Sequence, residues 1–99
     1  MTIQKKRSGE TLEMSISGRI DSMTAPQLEK ELTENLPGVA ELKLDFADVE
    51  YISSAGLRAL LSIQQTPEET GGAMNVRVVP DIIREVLEST GFDTIIPML

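Results

Sequence analysis

Leu12, Met14 and Ile16 alternate with Glu13, Ser15 and Ser17, Leu28, Leu32 and Leu36 recur at every fourth position, and from Glu41 to Phe46 the period returns to two. This change from strand spacing to helix spacing and back is the strongest constraint the chain carries. A strand that rejoins the same sheet after a helix runs parallel to its predecessor, through a right-handed crossover. The alternation then repeats. Leu57, Leu60, Leu61 and Gln64 put an apolar stripe on a second helix, and Met74 to Val79 reads as a further core strand. Pro80-Asp81 opens a last helix with Ile82, Ile83, Val86 and Leu87 on one side. Ahead of the first crossover, Ile3 to Arg7 and Leu12 to Ser17 flank the turn-rich Ser8-Gly9-Glu10 and form a hairpin. The expected order is hairpin, helix, strand, helix, strand, helix, with a short terminal segment at Thr94 to Ile96.

The punctuation supports these limits. Thr24 caps the first helix, with Pro26 in its first turn and Gln27 three residues after the cap, and Pro37-Gly38 stops it. Its other face, carrying Glu29, Lys30, Glu31, Glu34 and Asn35, is expected to be wet. Thr66 to Ala73, with Pro67 and Gly71-Gly72, reads as the end of the second helix plus a loop. Gly91 closes the last helix in the left-handed conformation that glycine takes without steric penalty. The whole is an α/β fold, a mixed sheet with an initial hairpin and parallel later strands, covered by helices on at least one face. Sites in such sheets gather at the carboxyl ends of strands.

Ninety-nine residues suffice for one domain and one core. Apolar residues at 40% and charged residues at 25% are globular proportions. A formal charge of -7 disfavours nucleic acid or an anionic membrane as partner, since both reward basic surfaces. The one basic run, Lys5-Lys6-Arg7, is accounted for as well by a solvated strand end as by a binding patch. The opening MTIQKKRSGE has no apolar signal core, no run of about 18 apolar residues occurs, and cysteine is absent, so a cytoplasmic location is expected.

The sequence holds no His or Cys to activate a serine or bind a transition metal, and no phosphate-binding glycine loop of the Gly-x-x-x-x-Gly-Lys type. It is read as a non-enzyme without cofactor. The acidic pairs Glu68-Glu69 and Asp48-Glu50 read as solvated loop residues. Attention falls instead on YISSAGLR, residues 51 to 58, where a strand leads through a short loop into the second helix. Serine ahead of an apolar-striped helix is among the best N-caps, contributing about 1 kcal/mol. The same position suits a phosphate, whose charge of about -1.5 to -2 meets free amides and the positive end of the helix dipole. Ala55 and Gly56 are small and would admit a close approach to the backbone.

ISGRID at 16 to 21, LKLDFADVEYISSAGLRALL at 42 to 61 and the VRVV strand followed by a helix ending in STGF resemble the STAS domain of bacterial anti-sigma factor antagonists. The resemblance spans nearly the whole chain and implies a single STAS domain over residues 1–99. It implies partner switching: an anti-sigma factor that is also a serine kinase phosphorylates a serine at the helix start, and a PP2C-type phosphatase resets it. The unphosphorylated form captures the anti-sigma factor and frees the sigma factor, with no direct contact to nucleic acid or membrane. The family's commonest motif reads Asp-Ser-Ser-Gly or Asp-Ser-Thr-Gly, whereas this chain reads Ile-Ser-Ser-Ala-Gly. Counting back from Gly56, Ser53 stands at the Asp, Ser54 at the first hydroxyl and Ala55 at the second. The resemblance therefore marks Ser54 for phosphorylation, with Ser53 as the alternative. Asp21, Asp45, Ser53, Ala55, Gly56, Leu57 and Arg58 are the expected partner contacts, Asp21 and Asp45 lying near the loop of Ser54. Against this, Asp21 also suits a turn start and Asp45 a strand end, and an exposed Arg58 is commonly solvated. Two other roles fit the resemblance: the small STAS subunit of an envelope lipid-transport ATPase, and a scaffold in a signalling complex.

Overall fold

The computed structural model describes residues 1–69, 73–94 and 98. β1 (Thr2–Ser8) and β2 (Thr11–Ile20) form the hairpin, followed by α1 (Ala25–Asn35), β3 (Glu41–Ile52), α2 (Ser54–Glu69), β4 (Ala73–Arg77), α3 (Asp81–Ser89) and a short 3-10 turn at Phe92–Thr94. The strands lie in sequence order in one sheet. β1 is antiparallel to β2, while β2, β3 and β4 are mutually parallel, as the alternation of periods requires.

One face of the sheet carries the core. Leu12, Met14, Ile16 and Ile20 of β2 and Leu42, Leu44 and Phe46 of β3 form one cluster with Leu28, Leu32 and Leu36 of the first crossover, Leu60 of α2 and Ile83 and Leu87 of α3. The other face is largely polar, and Glu13, Ser15, Lys43, Asp45, Arg77 and Val78 line a shallow groove across it. The basic run lies on β1, where Lys5 pairs with Glu31 at 2.7 Å and Arg7 donates to the carbonyls of Gly9 and Pro37. That pairing half-buries Glu31, and Asn35 is half-buried beside it, donating to the Glu31 carbonyl. Glu29, Lys30 and Glu34 are exposed as expected.

Several boundaries differ from the sequence expectation. β2 runs on past Ser17 to Ile20. β3 does not end near Phe46 and pass through a loop but continues to Ile52, with extra residues accommodated as bulges opposite β2 between Asp45 and Asp48 and between Val49 and Tyr51. Each bulge breaks the two-residue alternation, so the buried positions become Phe46, Val49 and Ile52, three apart. Asp45 accordingly lies within the sheet between Ser15 and Arg77, where its Oδ1 accepts the N–H of Ala47 at the first bulge.

α2 continues through Pro67 to Glu69, although proline forfeits a backbone bond there. Residues 70–72 of the expected loop, the Gln64 side chain, and Ile95 and Ile96 of the expected terminal segment lie outside the described residues. β4 stops at Arg77, short of Val79, because Val78 turns to a φ of 53°. Ile82, expected on the buried side of α3, is exposed, whereas Ile83 and Leu87 are buried. Gly91 takes the left-handed conformation at φ 74°.

Candidate functional site

β2 and β3 finish side by side, with Arg19 opposite Tyr51 and Ile20 opposite Ile52. The chain leaves these two strand ends for α1 and α2, so both helix starts stand together at one end of the sheet. The Ser53 N–H donates to the Ile20 carbonyl at 2.9 Å and ties the second start to the end of β2.

The start of α1 is closed by its own side chains. Asp21 Oδ1 accepts the N–H groups of Met23 at 2.9 Å and Thr24 at 3.1 Å. The Thr24 hydroxyl accepts the Asp21 N–H at 2.9 Å and donates to the Arg19 carbonyl at 2.8 Å. With its oxygen so engaged, Thr24 makes no side-chain cap bond to α1, contrary to the capping expected from sequence. The Met23 amide, then the Thr24 amide, hold the Asp21 carboxyl below its ordinary value of 3.8. Burial, next in size, opposes these two amides, while the Thr24 hydroxyl and the charge of Arg19 lower the value by smaller amounts.

The start of α2 is arranged differently. Ser53 is its N-cap: the hydroxyl oxygen accepts the N–H of Gly56 at 3.3 Å, and its carbonyl accepts the first helical bond from Leu57 at 3.0 Å. Ser54, the first helical residue, is exposed, and its hydroxyl bonds to nothing among the described residues. The cap therefore belongs to Ser53. Gly56 is buried, and a Cβ there would stand 2.7 Å from Ile20 Cγ2 and 3.0 Å from the Ile20 carbonyl oxygen. Its small size serves helix-to-strand packing and not an approach from outside.

The expected contact residues are only partly brought together. Asp21, Ser53, Ser54, Ala55 and Arg58 gather around the two helix starts, and Ala55 and Arg58 share a shallow groove with Ser22, Ala25, Pro26 and Glu29 of the α1 side. Gly56 points inward, and Leu57 is half-buried against the core. Asp45 is not at this end. It pairs with Ser15, and the strand distance from Ser15 to Ile20 is about 16 Å at ~3.3 Å per residue. Sequence reasoning missed Arg19 and Tyr51, whose guanidinium and ring stack 4.2 Å apart beside Asp21, with Arg19 Nε 3.8 Å from Asp21 Oδ2. The signal was present in ISGRID and VEYIS, where each residue precedes the isoleucine that ends its strand.

A family model described as Mlab, STAS domain, matches residues 3–98. The Bordetella bronchiseptica protein BtrV, which bears the name of an anti-sigma factor antagonist, is 34% identical over 84 residues, covering 84% of this chain and 72% of its own length. The chain belongs to the STAS-domain family of anti-sigma factor antagonists. A crystal structure of an anti-sigma factor antagonist from Mycobacterium paratuberculosis superposes with a TM-score of 0.87 at 26% identity, covering 98% of this chain and 83% of that one. SpoIIAA, a Bacillus protein, in its unphosphorylated form gives 0.83 at 18% identity over 99% of this chain and 88% of its own, a likeness of fold alone. The STAS fold thus accounts for the sheet order and the paired helix starts. Among the described residues no helix is long and apolar enough to cross a membrane.

Proposed function

We propose that this member of the family acts as an anti-sigma factor antagonist by partner switching, with the Ser54 hydroxyl as the group that is phosphorylated and Asp21, Ser53, Ala55 and Arg58 around it as the contact surface. The observation that supports this reading is the start of α2, where Ser53 caps and the Ser54 hydroxyl is exposed and, among the described residues, unengaged. A phosphate on Ser54 would sit at the helix N-terminus, a position favourable by about 0.3–1 kcal/mol per charge at an exposed site. The fold tolerates it. The partner, an anti-sigma factor that is also a serine kinase, would meet added charge on an already acidic chain and a desolvation penalty on burying it, so release follows from local electrostatics without refolding. A PP2C-type phosphatase would restore the hydroxyl.

The test uses a serine kinase of the anti-sigma factor class from the same organism. With ATP it modifies Ser54, and a phosphopeptide map placing the group on Ser53, or no modification, removes the proposal. In calorimetric titration Ser54→Ala binds that kinase like the unmodified protein, whereas Ser54→Asp binds at least about tenfold more weakly. A second reading is favoured by the family model, whose description names Mlab and no sigma-factor regulator. As a transport-ATPase subunit the chain would use the same surface without phosphorylation. Equal binding of Ser54→Ala and Ser54→Asp to a neighbouring ATP-binding cassette subunit would select it.

A further inference from the structure

Ser54 and Arg58 lie four residues apart on α2, and both are exposed. Residues at this spacing are neighbours on a helix surface, with about 5–6 Å between their Cβ atoms. Helical side chains lean toward the N-terminus of their helix, so the long Arg58 side chain is directed back over the first turn toward Ser54. An anion followed four residues later by a cation is the favoured order for such a pair. In the unmodified protein the pair is incomplete, since a serine hydroxyl carries no charge.

The other charged groups at this end of the sheet already have partners. Arg19 stacks on the Tyr51 ring at 4.2 Å and stands 3.8 Å from Asp21 Oδ2, and Asp21 Oδ1 accepts the amides of Met23 and Thr24. Glu29 lines the groove that Arg58 shares with the α1 side, and it accepts the Ser62 hydroxyl at 3.1 Å. Arg58 makes no ion pair among the described residues. Its charge is therefore uncommitted there.

We infer that Arg58 is the intramolecular counter-ion of the phosphate on Ser54, and that phosphorylation withdraws it from the contact surface. The inference rests on the proposed role of Ser54 and deepens it. Transfer forms a bond from Ser54 Oγ to the γ-phosphorus of ATP, with ADP leaving and the hydroxyl proton released. The product carries about -1.5 to -2 charge and acceptor oxygens that match the planar fork of a guanidinium. Before transfer the guanidinium stands in the groove between α1 and α2, open to a carboxylate or carbonyl of the partner. After transfer it turns to the phosphate, and the partner loses that contact while meeting a new anion. One modification thus weakens the interface twice, through the charge it adds and the cation it takes away.

Phosphoserine placed at position 54 during translation tests the pairing without the kinase. A nearby cation favours the dianion, so pairing lowers the second ionisation of the phosphate, which lies at about pH 6 without it. In a phosphorus NMR titration the midpoint should lie about 0.3–0.5 pH units lower in the parent than in Arg58→Gln. Arg58→Lys should recover part of that shift, because it keeps the charge and loses the fork. Calorimetric titration with the serine kinase supplies the second readout. Phosphorylation should cost Arg58→Gln about two- to threefold less affinity than it costs the parent. If the phosphate titrates alike in the parent and in Arg58→Gln, the counter-ion is overturned, while a phosphopeptide on Ser54 leaves the switching role standing. An equal loss of affinity in the two proteins overturns the withdrawal of Arg58 from the interface. If the kinase leaves Ser54 unmodified, the reading of Ser54 falls and the withdrawal with it, whatever the titration shows.

Discussion

The starts of α1 and α2 stand side by side after neighbouring parallel strands, and both are preceded by hydroxyl residues, yet they are built in opposite ways. At α1 the Asp21 carboxylate and the Thr24 hydroxyl are consumed by local hydrogen bonds, and the turn is closed on itself. At α2 a single bond from Gly56 to Ser53 completes the cap, and the next hydroxyl is left exposed. The α1 start engages its polar groups locally, whereas the α2 start leaves exposed the hydroxyl that we propose is phosphorylated.

The largest effect in this comparison is expected beneath both starts. Gly56→Val would drive a branched side chain into Ile20 and Ile52, which already lie within 3 Å of a Cβ built at this position, and should destabilise the protein by about 3 kcal/mol in denaturant unfolding. An unchanged midpoint would mean that the helix stands further from the strands than the structure places it. Next comes Thr24→Val, which leaves the Asp21 N–H and the Arg19 carbonyl without their partner and should lower stability by about 1–2 kcal/mol. A neutral effect would show that α1 is no more closed than α2.

The serines sharpen the contrast further. Ser53→Ala should lower stability by about 1 kcal/mol with the loss of the cap, and Ser54→Ala by less than about 0.5 kcal/mol. A reversal of that order would return Ser54 to the cap and leave no exposed hydroxyl at the helix start. The smallest effect is the pH dependence of Asp21. Its pKa is lowered in the folded state, so its contribution is complete above the unfolded value and disappears as pH falls through the lower folded value. Amide resonances of Met23 and Thr24 should therefore titrate with a midpoint below 3.8, while that of Gly56 stays flat through the same range. A midpoint at or above 3.8 would show that these amides do not hold the carboxylate.

Much of this molecule could be read from period and punctuation alone. The hairpin, the Leu28–Leu32–Leu36 stripe, the left-handed Gly91 and the order of the elements follow from local spacing, because burial on one face imposes the same two or nearly four residue period wherever a strand or helix meets a core. The family motif likewise fell on the junction between β3 and α2. The sequence by itself thus determined which elements form and in what order, and with them that three parallel strands deliver their connections to one end of the sheet. It could not determine that β3 continues past Phe46, because its bulges exist only in register with β2, nor that Asp45 is thereby left in mid-sheet away from Ser54. Nor could it assign the cap to Ser53 and exposure to Ser54, or turn Val78 and Ile82 outward. Those outcomes depend on a shift of one residue in register or in helix start. Local propensities hardly distinguish such shifts, and the tertiary structure decides them by which apolar side chains it can bury together.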